Sequence, residues 1–139
     1  MRRLISVFLF AALGLAQTPA DAIRKVLDDQ TAAWNRGDID TFMIGYDNSP
    51  KTAFIGKSVQ LGWENVRRNY HERYPTAAKM GKLDFSGVEV TLLGTEYANV
   101  VGKFHLARTA EGGGDASGVF TLLFHKTPAG WRIIQDHTS

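Results

Sequence analysis

The spacing of apolar residues changes twice along this chain. Leu4 to Leu15 is an apolar run apart from Ser6, and the apolar positions from Ile23 on fall at helical intervals: Ile23, Val26 and Leu27, with Gln30 and Trp34 continuing the same face. Thr18 is placed to cap this helix, Pro19 suits its first turn, and Gly37 ends it. Asp38 can cap a second helix carrying Ile39, Phe42, Met43 and Tyr46. Residues 52–55 and 59–61 read as a short hairpin about Gly56-Lys57-Ser58, and Trp63, Val66, Tyr70 and Tyr74 mark a third helix that Pro75 stops. Residues 75–81 read as a loop.

From residue 82 the period becomes two. Strands are expected at 82–93, 97–108, 117–126 and 131–137, with turns at 94–96, 111–114 and 127–130. In the first of these, Leu83 and Phe85 have one parity, and Val88, Val90 and Leu92 the other. That slip predicts a β-bulge at Ser86-Gly87 which bends a long strand. Helices followed by a bent antiparallel sheet make an α+β architecture. Both faces of the last strands are apolar. One is expected to cover the helices and the other to meet a second copy of the chain in a homodimer through the outer sheet face.

Composition alters this picture mainly at the start of the chain. Met1-Arg2-Arg3, the apolar run and the small residues Gly14-Leu15-Ala16 have the layout of a secretory leader, with cleavage expected after Ala16 and, failing that, after Ala22. The run is too short to span a bilayer, so no stable membrane span is expected once it is removed. The expected organisation is a signal peptide at 1–16 and one domain at 17–139, exported to the periplasm or the outside. The chain has 16 basic and 14 acidic residues, and removing Arg2 and Arg3 leaves equal numbers. Charge therefore gives no case for a nucleic-acid partner. The absence of cysteine excludes disulfides, a thiol nucleophile and thiolate metal sites.

Three of the four histidines lie on the expected strands. If residues 112–114 and 128–130 are hairpin tips, His105, Thr121 and His137 form a row across three strands, with the two imidazoles on backbones about 10 Å apart. His137 and His105 are then the candidate acid/base or anchoring residues. Ordinary hydrogen bonding at the edge of a core is the competing explanation. Trp34, Phe54, Trp63 and Tyr70, with Thr121, are expected to line an apolar pocket; simple core packing would also explain the aromatics. Two cross-strand histidines lack a third ligand and no HExxH occurs, so neither a metal nor another cofactor is expected. Glu111-Gly112-Gly113-Gly114 sits at a hairpin tip and is no phosphate loop.

Five segments together resemble the SnoaL-like branch of the nuclear transport factor 2-like superfamily. They are Trp34-Asn35-Arg36-Gly37-Asp38-Ile39-Asp40, Phe54-Ile55-Gly56, Gly62-Trp63, Gly130-Trp131-Arg132-Ile133-Ile134 and Asp136-His137-Thr138-Ser139. The resemblance implies a cystatin-like roll: a cone of N-terminal helices packed in a curved antiparallel sheet, open at one end and commonly dimeric. It relates the chain in fold to ketosteroid isomerases, which use a carboxylate base on the first hairpin and a tyrosine on the first helix. Here Phe54 to Lys57 contains no acid and the corresponding helix position is Gln30, so that mechanism does not transfer. Two functions remain open: a pocket for a small apolar or amphipathic ligand, with or without acid/base chemistry of the isomerase, dehydratase or cyclase type, and a non-catalytic assembly module.

Overall fold

In the computed structural model, which describes residues 14–139, Thr18 accepts a hydrogen bond from the Asp21 amide and opens α1 (Pro19–Asn35). The expected leader falls mostly outside the described residues. Ile23, Leu27, Gln30, Ala33 and Trp34 are buried, so the helical stripe faces inward as its spacing requires. Gly37 takes a positive φ of 81° and ends the helix. Asp38 caps α2 (Ile39–Phe42), which runs into a 3₁₀ turn at Met43–Gly45. The hairpin β1 (Ala53–Ile55) and β2 (Val59–Leu61) precedes α3 (Trp63–Arg73). The segment expected as a loop contains a short helix, α4 (Ala77–Met80), whose cap is Thr76; the correction follows from that side chain accepting the Lys79 amide.

Four long strands follow: β3 (Lys82–Leu93), β4 (Tyr97–Ala107), β5 (Ala116–Thr127) and β6 (Gly130–Thr138). The sheet is curved and unclosed, in the order β2-β1-β6-β5-β4-β3, antiparallel except where β1 runs parallel to β6. The register shift in β3 falls between Ser86 and Glu89, with Gly87 at a φ of 58°.

The core lies between α1 and the concave face of the sheet. Leu83, Ala98, Val100, Leu106, Phe120, Leu122, Phe124, Trp131 and Ile133 point into it. A β-carbon on Gly102 would lie 2.5 Å from the Phe120 ring, so this glycine lets the ring cross β4 at the bend of the sheet. The convex face exposes Leu93, Tyr97, Val101 and Val119.

The first long hairpin closes differently from the expected register. Asp115 accepts the Arg108 amide, Gly114 donates to the Thr109 carbonyl, and Arg108 Nε donates to the Gly114 carbonyl. These bonds form an eight-residue loop, and pairing stops at Leu106 opposite Ala116. His105 therefore faces Ser117, and Thr121 faces Val101. Thr121 does face His137, so only the second half of the expected row forms.

Candidate functional site

An irregularity in β6 sets the chemistry of the interior. Phe124 pairs with Ile133 and Leu123 pairs with Gln135, leaving Ile134 as an extra residue on β6. Without it, strict alternation from Trp131 and Ile133 would turn residue 137 inward and residue 136 outward. The bulge reverses that parity. Asp136 points into the cone and is 4% exposed, while His137 is exposed on the convex face.

Asp136 lies beside Phe54, its β1 partner, and below the 3₁₀ turn. The Tyr46 hydroxyl donates to its Oδ2 at 2.6 Å and the Thr138 hydroxyl to its Oδ1 at 2.6 Å. Tyr46 is held over β6 by a bridge to Ile133, and the Asp47 amide donates to the Ile133 carbonyl. The Tyr46 oxygen also lies 2.9 Å from the Tyr70 hydroxyl on α3. Burial pushes the Asp136 carboxyl above its ordinary range, against the opposing pull of the Thr138 and Tyr46 hydroxyls. Burial, reinforced by Asp136, raises both phenols well above theirs.

Proton counting defines what this chain of groups can do. With Asp136 ionised, Tyr46 gives its one proton to the carboxylate and Tyr70 gives its own to Tyr46; Tyr70 then offers a lone pair to the interior. With Asp136 protonated, the whole chain can reverse, and Tyr70 offers an O–H. One proton on a group removed from water thus decides whether Tyr70 donates or accepts.

Tyr70 opens into a cavity of about 750 Å³. Trp34, Phe42, Tyr46 and Tyr74, with Phe54 of β1, form the wall around it. Their rings meet mostly edge to face, with centroids 5.1 Å apart for Phe42 and Tyr70 and 4.9 Å for Trp34 and Tyr74. Phe85, Phe104, Phe120 and Leu122 supply the sheet-side wall. Gln30 is buried there and donates to the Phe42 carbonyl at 3.2 Å. The volume falls within the range of small-molecule sites.

Of the residues singled out in the sequence, Trp34, Phe54 and Tyr70 are in this wall. Trp63 is not; its indole donates to the Met43 carbonyl and braces the 3₁₀ turn. Thr121 is exposed on the convex face, one parity away from Phe120 and Leu122. His105 is a correction as well. It lies on the convex side of β4, its Nδ1 3.1 Å from Asp84 and its Nε2 3.1 Å from Asp115. These carboxylates raise the imidazole pKa, Asp115 foremost. His125 stacks on Tyr97, and His71 bonds Asp40. Among the described residues, no group of three or more His, Asp or Glu side chains is arranged to hold a metal ion.

Residues 23–139 match the model of the SnoaL-like domain. The chain belongs to that family. A similar solved structure is an NTF-2 like protein of unknown function from Shewanella oneidensis, 35% identical, covering 88% of this chain and 99% of that one, with a TM-score of 0.82. Two others share the fold. An NTF2-like superfamily protein from Salmonella enterica is 18% identical over 88% of this chain and 92% of its own, TM-score 0.69. A putative calcium/calmodulin dependent protein kinase II association domain from Xanthomonas campestris is 20% identical over 97% and 96%, TM-score 0.69. No curated protein matches the chain.

Proposed function

We propose that this SnoaL-like domain binds a small, largely apolar or amphipathic molecule inside its cone, with Tyr70 as the polar contact and Asp136 behind it, through Tyr46, as the proton source or sink. The observation that carries this reading is a carboxyl removed from water and joined by two phenols to an aromatic cavity of about 750 Å³. A fold that needed only stability would fill such a space, and would have little use for an acid at its floor. Proton transfer to or from a bound carbonyl or hydroxyl, as in isomerisation or dehydration, is the chemistry this relay supports. The assignment moves the polar role from His105 and His137 to Tyr70, Tyr46 and Asp136.

The test is a thermal-shift screen of small hydrophobic molecules on the wild type, on Tyr70→Phe and on His105→Ala combined with His137→Ala. Hits that survive the histidine double variant and weaken with Tyr70→Phe support the site. Hits lost only in the histidine variant, or no hits, refute it.

Two parts of this reading lie outside the cavity. Export rests on the leader-like start of the chain, and N-terminal sequencing of protein recovered from the producing cells tests it. A homodimer through the convex face is favoured by the exposed Tyr97, Val101 and Val119. Light scattering on wild type and on Val119→Glu tests it, with a monomeric wild type as the contrary result. The same face would serve the alternative reading, an assembly module without a ligand.

A further inference from the structure

Cations on the helices of this domain are paired with acids in several places. Lys25 meets Asp29 at 2.7 Å, Arg67 meets Asp40 at 2.7 Å, and Arg36 meets Asp38 at 3.4 Å. Two cations in the cavity wall differ. Lys57 is at the tip of the β1–β2 hairpin and Arg73 in the last turn of α3, and both elements border the cavity. Among the described residues neither forms an ion pair. The guanidinium of Arg73 instead lies 5.7 Å from the centroid of the Tyr74 ring, itself part of the wall. Ser58 and Asn69, polar and uncharged, flank the two cations in the wall.

The acidic side chain of the wall is Asp136, and it is shielded. Its oxygens are taken by Tyr46 and Thr138, and burial favours its neutral form. It therefore does little to neutralise Lys57 and Arg73. Gln30, Gln60, Thr138 and Ser139 add further polar groups, and the rest of the wall is mostly aromatic and aliphatic. A molecule entering from water meets two free positive charges and then rings.

We infer that the ligand of this cavity is an amphiphile with one anionic oxygen head, a carboxylate or its like, held between Lys57 and Arg73 while its apolar body lies against Phe85, Phe104 and Phe120. This inference rests on the cavity being a ligand site, as proposed above, and adds the class of ligand. It also explains why a long-range attraction is useful here: unpaired cations beside an apolar opening draw anions to it and repel amphiphilic cations.

Three probes of equal chain length separate the contributions: decanoate, 1-decanol and decyltrimethylammonium, each below its micelle concentration, measured by calorimetry or by displacement of a fluorescent reporter. Decanoate is expected to bind roughly tenfold more tightly than the other two, because two half-solvated charge contacts each contribute a few-fold. The advantage should shrink as salt is added. Lys57→Ala combined with Arg73→Ala should abolish it while leaving decanol unchanged, and Lys57→Glu with Arg73→Glu should transfer it to the ammonium. Both cations border solvent, and an unchanged Tm verifies that each variant is folded. Equal binding of decanoate and decanol to the wild type, or a preference that survives in the alanine variant, overturns the anionic head and leaves the cavity site standing. Failure of all three probes to bind overturns both.

Discussion

Asp136 and His137 are neighbours in the chain and occupy different chemical worlds. The first lies on the concave face of the sheet, stripped of water, bonded by two hydroxyls and shifted towards its neutral form. The second lies on the convex face in solvent. His105 repeats the contrast: its two carboxylate partners are within hydrogen-bond distance, yet all three groups sit on the exposed side. Histidine is the residue type usually associated with acid/base work near neutral pH, but location decides more than type. A group acquires unusual protonation behaviour when it is removed from water next to a cavity, and in this sheet that happens on one face.

The comparison is most sharply tested by packing. Phe124 is fully buried on the concave side and Val119 is 54% exposed on the convex side of the same strand. Phe124→Ala should cost about 3–5 kcal/mol in urea unfolding, and Val119→Ala should stay within about 0.5 kcal/mol. Similar costs for both would mean that the convex face is as much a core as the concave one, and would point to a tight dimer. Next in size is Tyr46→Phe. It removes one donor from the buried carboxylate and the acceptor of Tyr70, and leaving such groups unpaired costs about 1–3 kcal/mol. His137→Ala, at the adjacent position to Asp136 but facing water, should leave the unfolding midpoint nearly unchanged.

The fold is largely legible in the sequence, because it is written in short-range signals. Thr18 and Gly37 bracket α1 as capping chemistry requires, and the phase slip at Ser86-Gly87 coincides with the bend in β3. The site is not. Tyr46, Tyr70 and Asp136 are separated by 24 and 66 residues and belong to no local motif; only the closing of the sheet brings them together. The inward aim of Asp136 depends on the extra residue at Ile134. The adjacent apolar pair Ile133-Ile134 was the available signal, the same kind of parity break as the one at Ser86-Gly87. Without the glycine that marks the earlier one, it passes for a strand with two apolar faces. The pairing of His105 with Ser117 rather than Thr121 has another cause. A glycine run suggests a tight tip, whereas Asp115 and Arg108 hold a wider loop by side-chain bonds that glycine counting does not register.

A smaller effect is expected from Asp136→Asn, and its sign is informative. Burial raises the folded-state pKa of this carboxyl. Its neutral form is thus the one the fold tolerates; the contribution is whole below the ordinary carboxylate range and is lost as pH rises through the raised value. Asparagine keeps the shape and cannot ionise. The variant should match the wild type near pH 4 and exceed it by a few degrees in Tm near pH 8. A variant less stable at pH 8 than at pH 4, relative to wild type, would mean that the ionised carboxylate is a structural necessity rather than a stored acid. The same substitution should abolish any proton-transfer activity, separating stability from function in one change.

The convex face supplies the smallest effect. His105 lies between Asp115 and Asp84, which raise its pKa, and Asp115 is lowered in turn, by the Arg108 amide first and His105 second. The imidazolium clasp is therefore complete only above the pH at which Asp115 gains its proton and below the raised value for His105. Its contribution fades as pH rises through that value, and fades again in strong acid as the carboxylates are neutralised. An NMR titration should find the His105 ring above its ordinary midpoint, and Asp115→Asn should bring it down with almost no change in Tm, because solvent screens an exposed pair. The same titration run with a cavity ligand bound is the sharper form. The concave relay should respond to the ligand, and the His105 midpoint should not move. A midpoint that tracked ligand binding would show the two faces to be coupled through β4 and β5, and not chemically separate.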